Sequence, residues 1–372
     1  MPSLGADMVA GTLVEWLVTV GQPVTRGQII AEVETEKGVV EVEVFETGAI
    51  EELLVVPGTK VPVGTPLARI KTEGGPAGAL AAPSEAKPAP AAPPVAAAAP
   101  EPAAPAGRQR VSPLARKRAE DLGIGLDRVV GTGPAGAVTV ADVERSAAPG
   151  VRSQAMRRAI GAAMSRSKRE IPHYYLATDI DVTPLSDWLA ARNASRPVTD
   201  RMLVAAPLLK GVALALSKHP SLNGTFVDGQ FRQGPAVHLG VAISLRGGGL
   251  MAPALHDAAT KPVDTLMTEL TDLINRVRAG SVRSSELADP TVTVTSLGET
   301  GVPTVFGIIF PPQVALIGLG RIVARPWVVD GALISRQILT ATLSADHRVT
   351  DGHEGARFLT TLDRLLQEPE RL

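Results

Sequence analysis

A tandem repeat near the start of the chain constrains its fold more than any other feature. The stretch 21–33 matches the stretch 58–70 at a constant offset of 37 residues. A short repeated unit predicts two similar halves that close on each other, with alternating apolar residues packed between them. Residues 39–44 alternate valine and glutamate, which predicts a strand with one wet face. The matching positions are Gly21, Val24, Gly27, Ile30, Ala31 and Val33 with Gly58, Val61, Gly64, Leu67, Ala68 and Ile70.

The first copy of the repeat continues directly into Glu34-Thr-Glu-Lys37-Gly, between two strand-like runs. A tight turn there would hold Lys37 out in water, although most lysines are exposed without any function. Residues 1–72 resemble the lipoyl domain of 2-oxo-acid dehydrogenase complexes, through 1–5, 11–16 and 34–37. The resemblance implies a flattened all-β barrel of two halves, with lipoic acid bound to Lys37 through an amide. Biotin carriers share this fold but flank their lysine with methionines. Here the residues beside Lys37 are Glu36 and Gly38.

The overall composition favours certain function classes and excludes others. Lys and Arg total 37 against 38 Asp and Glu, so no global charge indicates nucleic acid or a membrane surface. The chain has no cysteine, which excludes disulfides, thiolate metal sites and a cysteine nucleophile, and no metal site is predicted. Any thiol chemistry must therefore come from a cofactor or a substrate. No signal-peptide pattern is visible at residue 1, so we expect a cytoplasmic protein.

A low-complexity segment follows the repeat. From 74 to 106, 24 of 33 residues are Ala or Pro. Such a segment cannot offset its ordering entropy by burying side chains, so residues 73–108 are predicted to be an extended, flexible linker.

A small island of ordered sequence is predicted at 109–146, before a short linker at 147–151. Ser112 and Pro113 are typical of a helix start, and residues 131–134 of a loop. The island resembles the α-helical peripheral subunit-binding domain of the same complexes. That module docks dihydrolipoamide dehydrogenase or the decarboxylating 2-oxo-acid dehydrogenase with basic side chains, which Arg116 and Lys117 match. Relatives often have arginines where this chain has Glu120 and Ala137. The docking partner and the strength of docking therefore stay open.

Residues 152–372 are long enough for one large core and predict a mixed α/β layered domain. An amphipathic helix is expected over 152–169. The other predicted helices are 185–192, 202–217, 262–278 and 354–367, and the predicted strands are 173–182, 237–245, 291–295, 305–310, 313–319 and 338–343.

Six histidines are present, and all lie in this last domain. Structural roles explain five of them, including His173 at a strand start. His347 differs because it lies in the run Ser-Ala-Asp-His-Arg-Val-Thr-Asp-Gly at 344–352. That run resembles the active-site motif of dihydrolipoamide acyltransferases, and together with the two other modules it extends the resemblance over the whole chain. The family implies a catalytic fold like chloramphenicol acetyltransferase, with trimers that build a larger core.

The resemblance also implies a separate chemical role for each candidate site residue. His347 would act as the base that activates the thiol of coenzyme A, and Asp351 would order its loop through an ion pair. In the family a serine in a Thr-x-Ser-Asn-x-Gly run donates a hydrogen bond to the oxyanion, from a neighbouring subunit. Here Thr295 takes that position, and Ser296 should face the opposite way.

These expectations leave alternatives open. Acetyl transfer in a pyruvate dehydrogenase-type complex is the leading reading, but branched-chain or succinyl transfer uses the same motif. A lipoyl-bearing scaffold with weakened catalysis is also compatible with a threonine at 295. The number of subunits in the core cannot be read from one sequence.

Overall fold

The computed structural model describes residues 10–35, 38–71, 149–245, 249–298 and 301–372, together with individual residues between 111 and 143. The chain divides into two compact units, Met1–Lys71 with Ser153–Leu372, and Thr72–Arg152. Within the described residues, no helix is both long and apolar enough to cross a bilayer.

The N-terminal repeat folds into two small antiparallel sheets that share one core. One sheet has the strand order β4-β3-β1-β6 and the other β2-β5-β7. Their inward-facing valines, leucines and isoleucines form a continuous buried cluster. The strands are β1 (Ala10–Trp16), β2 (Pro23–Val24), β3 (Ile29–Thr35), β4 (Gly38–Glu43), β5 (Gly48–Leu53), β6 (Lys60–Pro62) and β7 (Ala68–Lys71).

The two halves of this domain exchange equivalent hydrogen bonds. The Gly21 N–H donates to the carbonyl of Ile50 at 2.7 Å, and the Gly58 N–H donates to the carbonyl of Leu13 at 2.7 Å. Each donor and each acceptor is related to its counterpart by the 37-residue offset. Both glycines adopt positive φ, 87° and 85°, which a side chain would disfavour. The predicted pair of halves that close on each other is therefore confirmed.

The described residues between 111 and 143 form a small helical island. The Ala115 N–H donates to Ser112 Oγ at 3.1 Å, so Ser112 caps the first helix as predicted. The Asp142 carboxylate accepts bonds from the backbone and hydroxyl groups of both Thr132 and Thr139. These bonds, the one from the Thr132 hydroxyl first, hold the pKa of Asp142 far below its usual value. One carboxylate thus ties the loop to the second helix.

The C-terminal domain has six helices and twelve strands within the described residues. The helices are α1 (Pro149–Glu170), α2 (Thr183–Ala194), α3 (Ala205–Lys218), α4 (Val263–Ala279), α5 (Ser284–Ala288) and α6 (Gly352–Gln367). The strands are β8 (His173–Asp181), β9 (Gly224–Val227), β10 (Gln230–Gln233), β11 (Leu239–Val241), β12 (Ile243–Ser244), β13 (Leu250–Met251), β14 (Ala254–Leu255), β15 (Val282–Arg283), β16 (Val292–Ser296), β17 (Ala315–Leu319), β18 (Val323–Val329) and β19 (Ala332–Asp346).

A mixed sheet of seven strands organises this domain, as the sequence predicted. Its order is β14-β11-β16-β17-β19-β18, and β8 pairs with the second half of β19. Helix α6 buries Phe358, Leu362 and Leu366 at a spacing of four residues, which forms one apolar stripe. Gly211 on α3 faces that stripe, and a Cβ there would come within 2.9 Å of the Leu366 side chain. A side chain at position 211 would therefore make the Leu366 side chain shift.

One predicted strand is wrong. Residues 305–310 are not assigned to a strand. The carbonyl of Val305 accepts a bond from Thr342 Oγ1 at 2.5 Å, and that of Gly307 accepts one from Ser344 Oγ at 2.7 Å. Hydroxyl side chains of β19 therefore satisfy backbone groups that a strand would pair with a neighbouring strand. The apolar pattern of this segment reflects burial, which a strand and an irregular segment share.

Candidate functional site

His347 lies in the loop that follows β19, within the run 344–352 that the sequence singled out. Its backbone N–H donates to the carbonyl of Pro172 at 3.0 Å, which anchors the loop to the start of β8. Its ring meets the edge of the Tyr174 ring with centroids 5.3 Å apart. The side chain is exposed in this single chain, so the imidazole is accessible from solvent.

Tyr174 also holds the far side of this loop, a role that the sequence reasoning missed. Its hydroxyl and Thr350 Oγ1 share a hydrogen bond of 2.9 Å. Burial raises the pKa of Tyr174, so the phenol stays protonated and able to donate. Both residues lie within a few positions of motifs visible in the sequence, but only the pairing of β8 with β19 brings them together.

A buried ion pair stabilises the base of the loop. Asp346 is fully buried, and its carboxylate accepts from Arg348 Nη2 at 2.7 Å and from Arg348 Nε at 3.0 Å. The guanidinium lies over the Phe226 ring, 4.2 Å from its centroid. A carboxylate removed from water requires such bidentate pairing. Asp346 and Arg348 therefore flank His347 with a rigid support.

Asp351 closes the far end of the loop as a helix cap. Its carboxylate accepts from the backbone N–H groups of His353 and Glu354 at 3.0 Å each. These bonds, with Glu354 first, lower the pKa of Asp351. In the described part of this single chain the ion pair of the loop joins Asp346 to Arg348, and an ion pair of Asp351 stays a prediction. Asp351 fixes the end of the loop through the helix terminus.

An open cavity of about 430 Å³ lies against the loop, and His347, Asp351, Ser221 and Glu354 line part of it. The Glu354 carboxylate accepts a hydrogen bond of 2.8 Å from Nδ1 of the buried His219. The sequence predicted only a structural role for His219. Because the two partners lie 135 positions apart, no local pattern could have indicated this pair.

Thr295 and Ser296 end β16, and their side chains face opposite ways, as predicted. Ser296 and Val294 line a second cavity of about 890 Å³. Thr295 shares its face with Thr293, whose hydroxyl donates to Gln313 Oε1 at 2.7 Å. Two hydroxyls are thus available at this strand end, one on each side of the sheet.

The structure does not bring Thr295 together with His347 in one chain. Thr295 pairs with Gly318, and Gly318 pairs with Thr342, five positions before His347. Two strand spacings across the sheet and five residues along it place the two backbones roughly 19 Å apart. A hydroxyl and an imidazole that act on one thioester carbonyl must lie much closer.

The predicted attachment and docking residues are only partly described. Lys37 and Lys117 lie outside the described residues. Thr35 and Gly38 are paired where β3 and β4 meet. Arg116 is exposed on the first helix of the island. Nδ1 of His173 bonds to the Ile171 carbonyl at 2.9 Å, and Nε2 accepts from the Ile309 N–H at 3.2 Å. Both ring nitrogens are thus engaged, which agrees with a structural role.

Family models match three parts of the chain. Residues 147–372 match the 2-oxoacid dehydrogenases acyltransferase catalytic domain. Residues 1–70 match the biotin-requiring enzyme model, and residues 110–144 match the e3 binding domain. The order of the three modules is the one that the sequence resemblance implied.

Two curated relatives match over nearly their whole length. A dihydrolipoyllysine-residue acetyltransferase component of the pyruvate dehydrogenase complex from Zymomonas mobilis is 31% identical, covering 99% of this chain and 97% of that protein. A lipoamide acyltransferase component of the branched-chain alpha-keto acid dehydrogenase complex from Pseudomonas aeruginosa is 34% identical, covering 100% and 98%.

Among solved structures, the dihydrolipoamide acetyltransferase of Azotobacter vinelandii matches with a TM-score of 0.54 and 26% identity, covering 58% of this chain and 90% of that one. That crystal structure addressed the roles of a serine, a histidine and an asparagine in catalysis. The serine there precedes the histidine by 52 positions and the asparagine follows it by four. Thr295 precedes His347, and Asp351 follows it, at those same separations.

Proposed function

Because the chain belongs to the 2-oxoacid dehydrogenase acyltransferase family, we propose that it transfers an acyl group, acetyl first, from dihydrolipoyl-Lys37 to coenzyme A. The observation that supports this most is the loop at 346–351, which holds an exposed imidazole in a fixed position beside an open cavity. Lipoic acid on Lys37 would supply the thiol that carries the acyl group.

His347 acts as the general base in this proposal. It removes the proton from the thiol of coenzyme A, because the thiolate is the nucleophile in attack on a thioester. As the new bond from the acyl carbon to the coenzyme A sulfur forms, the bond to the dihydrolipoyl sulfur breaks, and the imidazolium returns the proton to that leaving sulfur. The ion pair of Asp346 with Arg348 and the contact with Tyr174 keep the ring in one place while the proton moves. Such positioning accounts for roughly 10²–10⁴-fold in rate for a general base.

A hydroxyl at the end of β16 stabilises the negative charge that develops on the thioester oxygen. Thr295 is the proposed donor, since its separation from His347 equals that of the serine and histidine in the Azotobacter vinelandii enzyme. A threonine hydroxyl donates as a serine hydroxyl does, although its methyl group restricts the side-chain rotamer. Asp351 takes part through the loop and does not contact the substrate in this proposal.

The active site is completed between subunits. Since Thr295 and His347 lie roughly 19 Å apart by strand register, the donor must come from a neighbouring chain. Trimers provide such a neighbour for every subunit, and the exposure of His347 in the single chain supports this arrangement.

The activity is tested with the full chain, dihydrolipoamide and the acetyl, isobutyryl and succinyl thioesters of coenzyme A. We expect turnover that falls by roughly 10²–10⁴-fold in His347→Ala. His353→Ala, an exposed histidine on the next helix, serves as the matched control and should keep full activity. Turnover no higher than that of His347→Ala with any donor would contradict the catalytic proposal and favour a scaffold.

The same assay decides the acyl group. Similar relatives include both an acetyltransferase and a branched-chain lipoamide acyltransferase, so homology alone leaves the choice open. We expect the highest kcat/KM with the acetyl donor. A preference for the isobutyryl donor would assign the chain to branched-chain substrates.

The shared site is tested by mixing two inactive variants. His347→Ala and Thr295→Ala chains, denatured and reassembled together at equal amounts, should regain about one quarter of wild-type turnover, because one site in four pairs an intact histidine with an intact hydroxyl. No recovery in mixed assemblies would place both groups in one chain.

The remaining modules define the partners. We propose that the island at 109–146 binds the decarboxylating dehydrogenase and dihydrolipoamide dehydrogenase through Arg116 and Lys117. The linker at 73–108 separates it from the lipoyl domain at 1–72, and the catalytic domain at 152–372 follows it. The predicted linker 147–151 is wrong in its second half, because helix α1 already begins at Pro149. Charge reversal at Arg116 should weaken binding in a salt-dependent manner, measurable by calorimetry. A cytoplasmic location is also proposed, testable by cell fractionation.

A further inference from the structure

The first sheet of the lipoyl domain contains a strand from the catalytic domain. Strand β15 pairs with β4 in parallel, with Val282 opposite Val40 and Arg283 opposite Glu41. This addition makes the sheet order β15-β4-β3-β1-β6. Without β15, strand β4 would be an edge strand with a row of unpaired backbone groups, which readily pair with another strand.

The side chain of Glu43 supports this contact. Glu43 is 8% exposed, although it lies on the face of β4 that points away from the lipoyl core. Ser285 Oγ donates to its carboxylate at 2.5 Å, its own N–H donates to Ser284 Oγ at 3.4 Å, and Arg283 Nε lies 3.8 Å from the carboxylate. A buried carboxylate is stable only with such partners. All its partners named here lie in the catalytic domain.

An apolar contact accompanies the polar one. Leu287 on α5 packs against the lipoyl core and also against the core of the catalytic domain. The segment Val282–Ala288 therefore offers the lipoyl domain a backbone edge, a carboxylate site and an apolar side chain within seven residues.

Charge and direction agree with this arrangement. Residues 1–72 contain ten Asp and Glu against five Lys and Arg, whereas the end of α4 and β15 contribute Arg278 and Arg283. The neighbouring Arg276 is already paired with Asp272 and Glu286. In the parallel register, the start of β4 at Gly38 lies two residues before Val40, roughly 7 Å toward the end of α4. Arg278 lines the cavity of about 890 Å³ there. The start of β4 thus lies on the side of the ladder that leads toward Arg278.

We propose that the segment Val282–Ala288, which we call the docking segment, is a binding site for the lipoyl domain of the same chain. The lipoyl domain adds β4 as a parallel strand and places Glu43 among Arg283, Ser284 and Ser285. Only two residue pairs form the ladder, so the contact is weak and reversible, as a carrier that must also visit other enzymes requires. Docking itself does not depend on acyl transfer, and only its kinetic consequence relies on the proposed function.

Cross-linking tests the contact directly, because the chain has no cysteine of its own. Paired positions on neighbouring strands lie about 4.8 Å apart, a separation that a disulfide spans. Glu41→Cys with Arg283→Cys in the full chain should form a disulfide under mild oxidation. Glu52→Cys with Arg283→Cys is the control, since Glu52 lies on the other lipoyl sheet. Cross-linking no faster than the control, or links only between chains, would overturn the proposal.

A second measurement first changes Glu43, which lies outside the two paired positions, and then reverses the charge of Arg283. Backbone hydrogen exchange at Val282 and Arg283 in the full chain should accelerate about tenfold in Glu43→Lys, and hardly at all in Glu51→Lys. Adding Arg283→Glu to Glu43→Lys should restore slow exchange. Equal exchange in wild type and Glu43→Lys would refute docking, whatever the activity of the enzyme.

Kinetics then measure what docking contributes. In Glu43→Lys we expect slower acyl transfer to coenzyme A from the attached acylated lipoyl domain and unchanged kcat with free S-acetyldihydrolipoamide as the donor. If neither donor reacts in wild type, the proposed function fails while the exchange result still decides docking. If transfer from both donors slows equally in Glu43→Lys, the docking segment stabilises the fold and does not deliver the lipoyl domain to the active site.

Discussion

The loop that carries His347 and the strand end that carries Thr295 are held in different ways. The loop is anchored by the Pro172 carbonyl, the Tyr174 ring, the Asp346–Arg348 ion pair and the cap at Asp351. The end of β16 is held by its pairing with β17 and, in the described part of the chain, by a bond from the Gly298 N–H to Ser296 Oγ.

This difference separates the two catalytic roles that we propose. The proposed general base lies on a loop that one chain already holds in place, before any substrate arrives. A hydrogen-bond donor for a developing charge must meet the base across the substrate, and one chain leaves it roughly 19 Å away. Base and donor are therefore expected to respond differently to mutation.

The largest effect is expected at the ion pair of the loop. Arg348→Ala leaves the fully buried Asp346 carboxylate without its guanidinium, so the free energy of unfolding should fall by about 3 kcal/mol. Arg371→Ala removes an exposed pair with Glu368 and should change it by less than about 0.5 kcal/mol. Urea denaturation of both variants measures the difference. Equal losses would mean that the loop is not braced by this pair.

The strand end should show the opposite signature, a loss of rate without a loss of stability. Thr295→Ala should lower kcat by roughly 10²–10³-fold, as expected for a lost oxyanion donor. Thr295→Ser should retain most activity, and Ser296→Ala is the control on the opposite face. A larger loss in Ser296→Ala than in Thr295→Ala would assign the donor to Ser296, which lines the cavity of about 890 Å³.

A smaller effect concerns pH and the start of β8. Burial lowers the pKa of His173 below 6.5, so the folded state binds fewer protons than the unfolded one near that pH. Its contribution to stability is complete above pH 6.5 and is lost as the pH falls toward the lowered pKa. The melting temperature should therefore fall between pH 7 and 5.5, and less steeply in His173→Gln. Parallel profiles for both proteins would contradict this assignment.

The smallest effect is expected at the helix cap. The lowered pKa of Asp351 means that its stabilisation is present above pH 3.8 and is lost as the pH falls through the folded value. Asp351→Asn keeps a capping oxygen but loses the charge, so its melting temperature should depend less on pH between 5 and 3. Asp363→Asn on the same helix serves as the control. An unchanged pH profile would show that the cap acts without its charge.

Local patterns in the sequence predicted much of the fold. The 37-residue repeat indicated two halves, and Gly21 and Gly58 indeed exchange equivalent bonds with the opposite half. The alternation at residues 295 and 296 correctly predicted opposite faces. Such features depend on neighbours along the chain, which is why the sequence contains them.

Contacts between distant residues could not be predicted in the same way. The segment 305–310 has the pattern of a strand, but hydroxyls of β19 some 37 positions later hold its carbonyls. Which carboxylate of the loop turns inward, here Asp346, also depends on such distant packing. The hairpin of β9 and β10, in contrast, was missed although it carries a local signal, since its two-residue turn is Asp228-Gly229 with both residues at positive φ.

The sequence by itself determined the family and the order of the modules, and it predicted candidate residues for acyl transfer. Only the tertiary structure decided that His347 is braced by Asp346 and Tyr174, that Thr295 lies far from it in one chain, and that β15 extends the lipoyl sheet. The physical reason is that periodicity, caps and motifs depend on residues within a few positions of each other, whereas ion pairs, strand partners and distances across a sheet depend on packing.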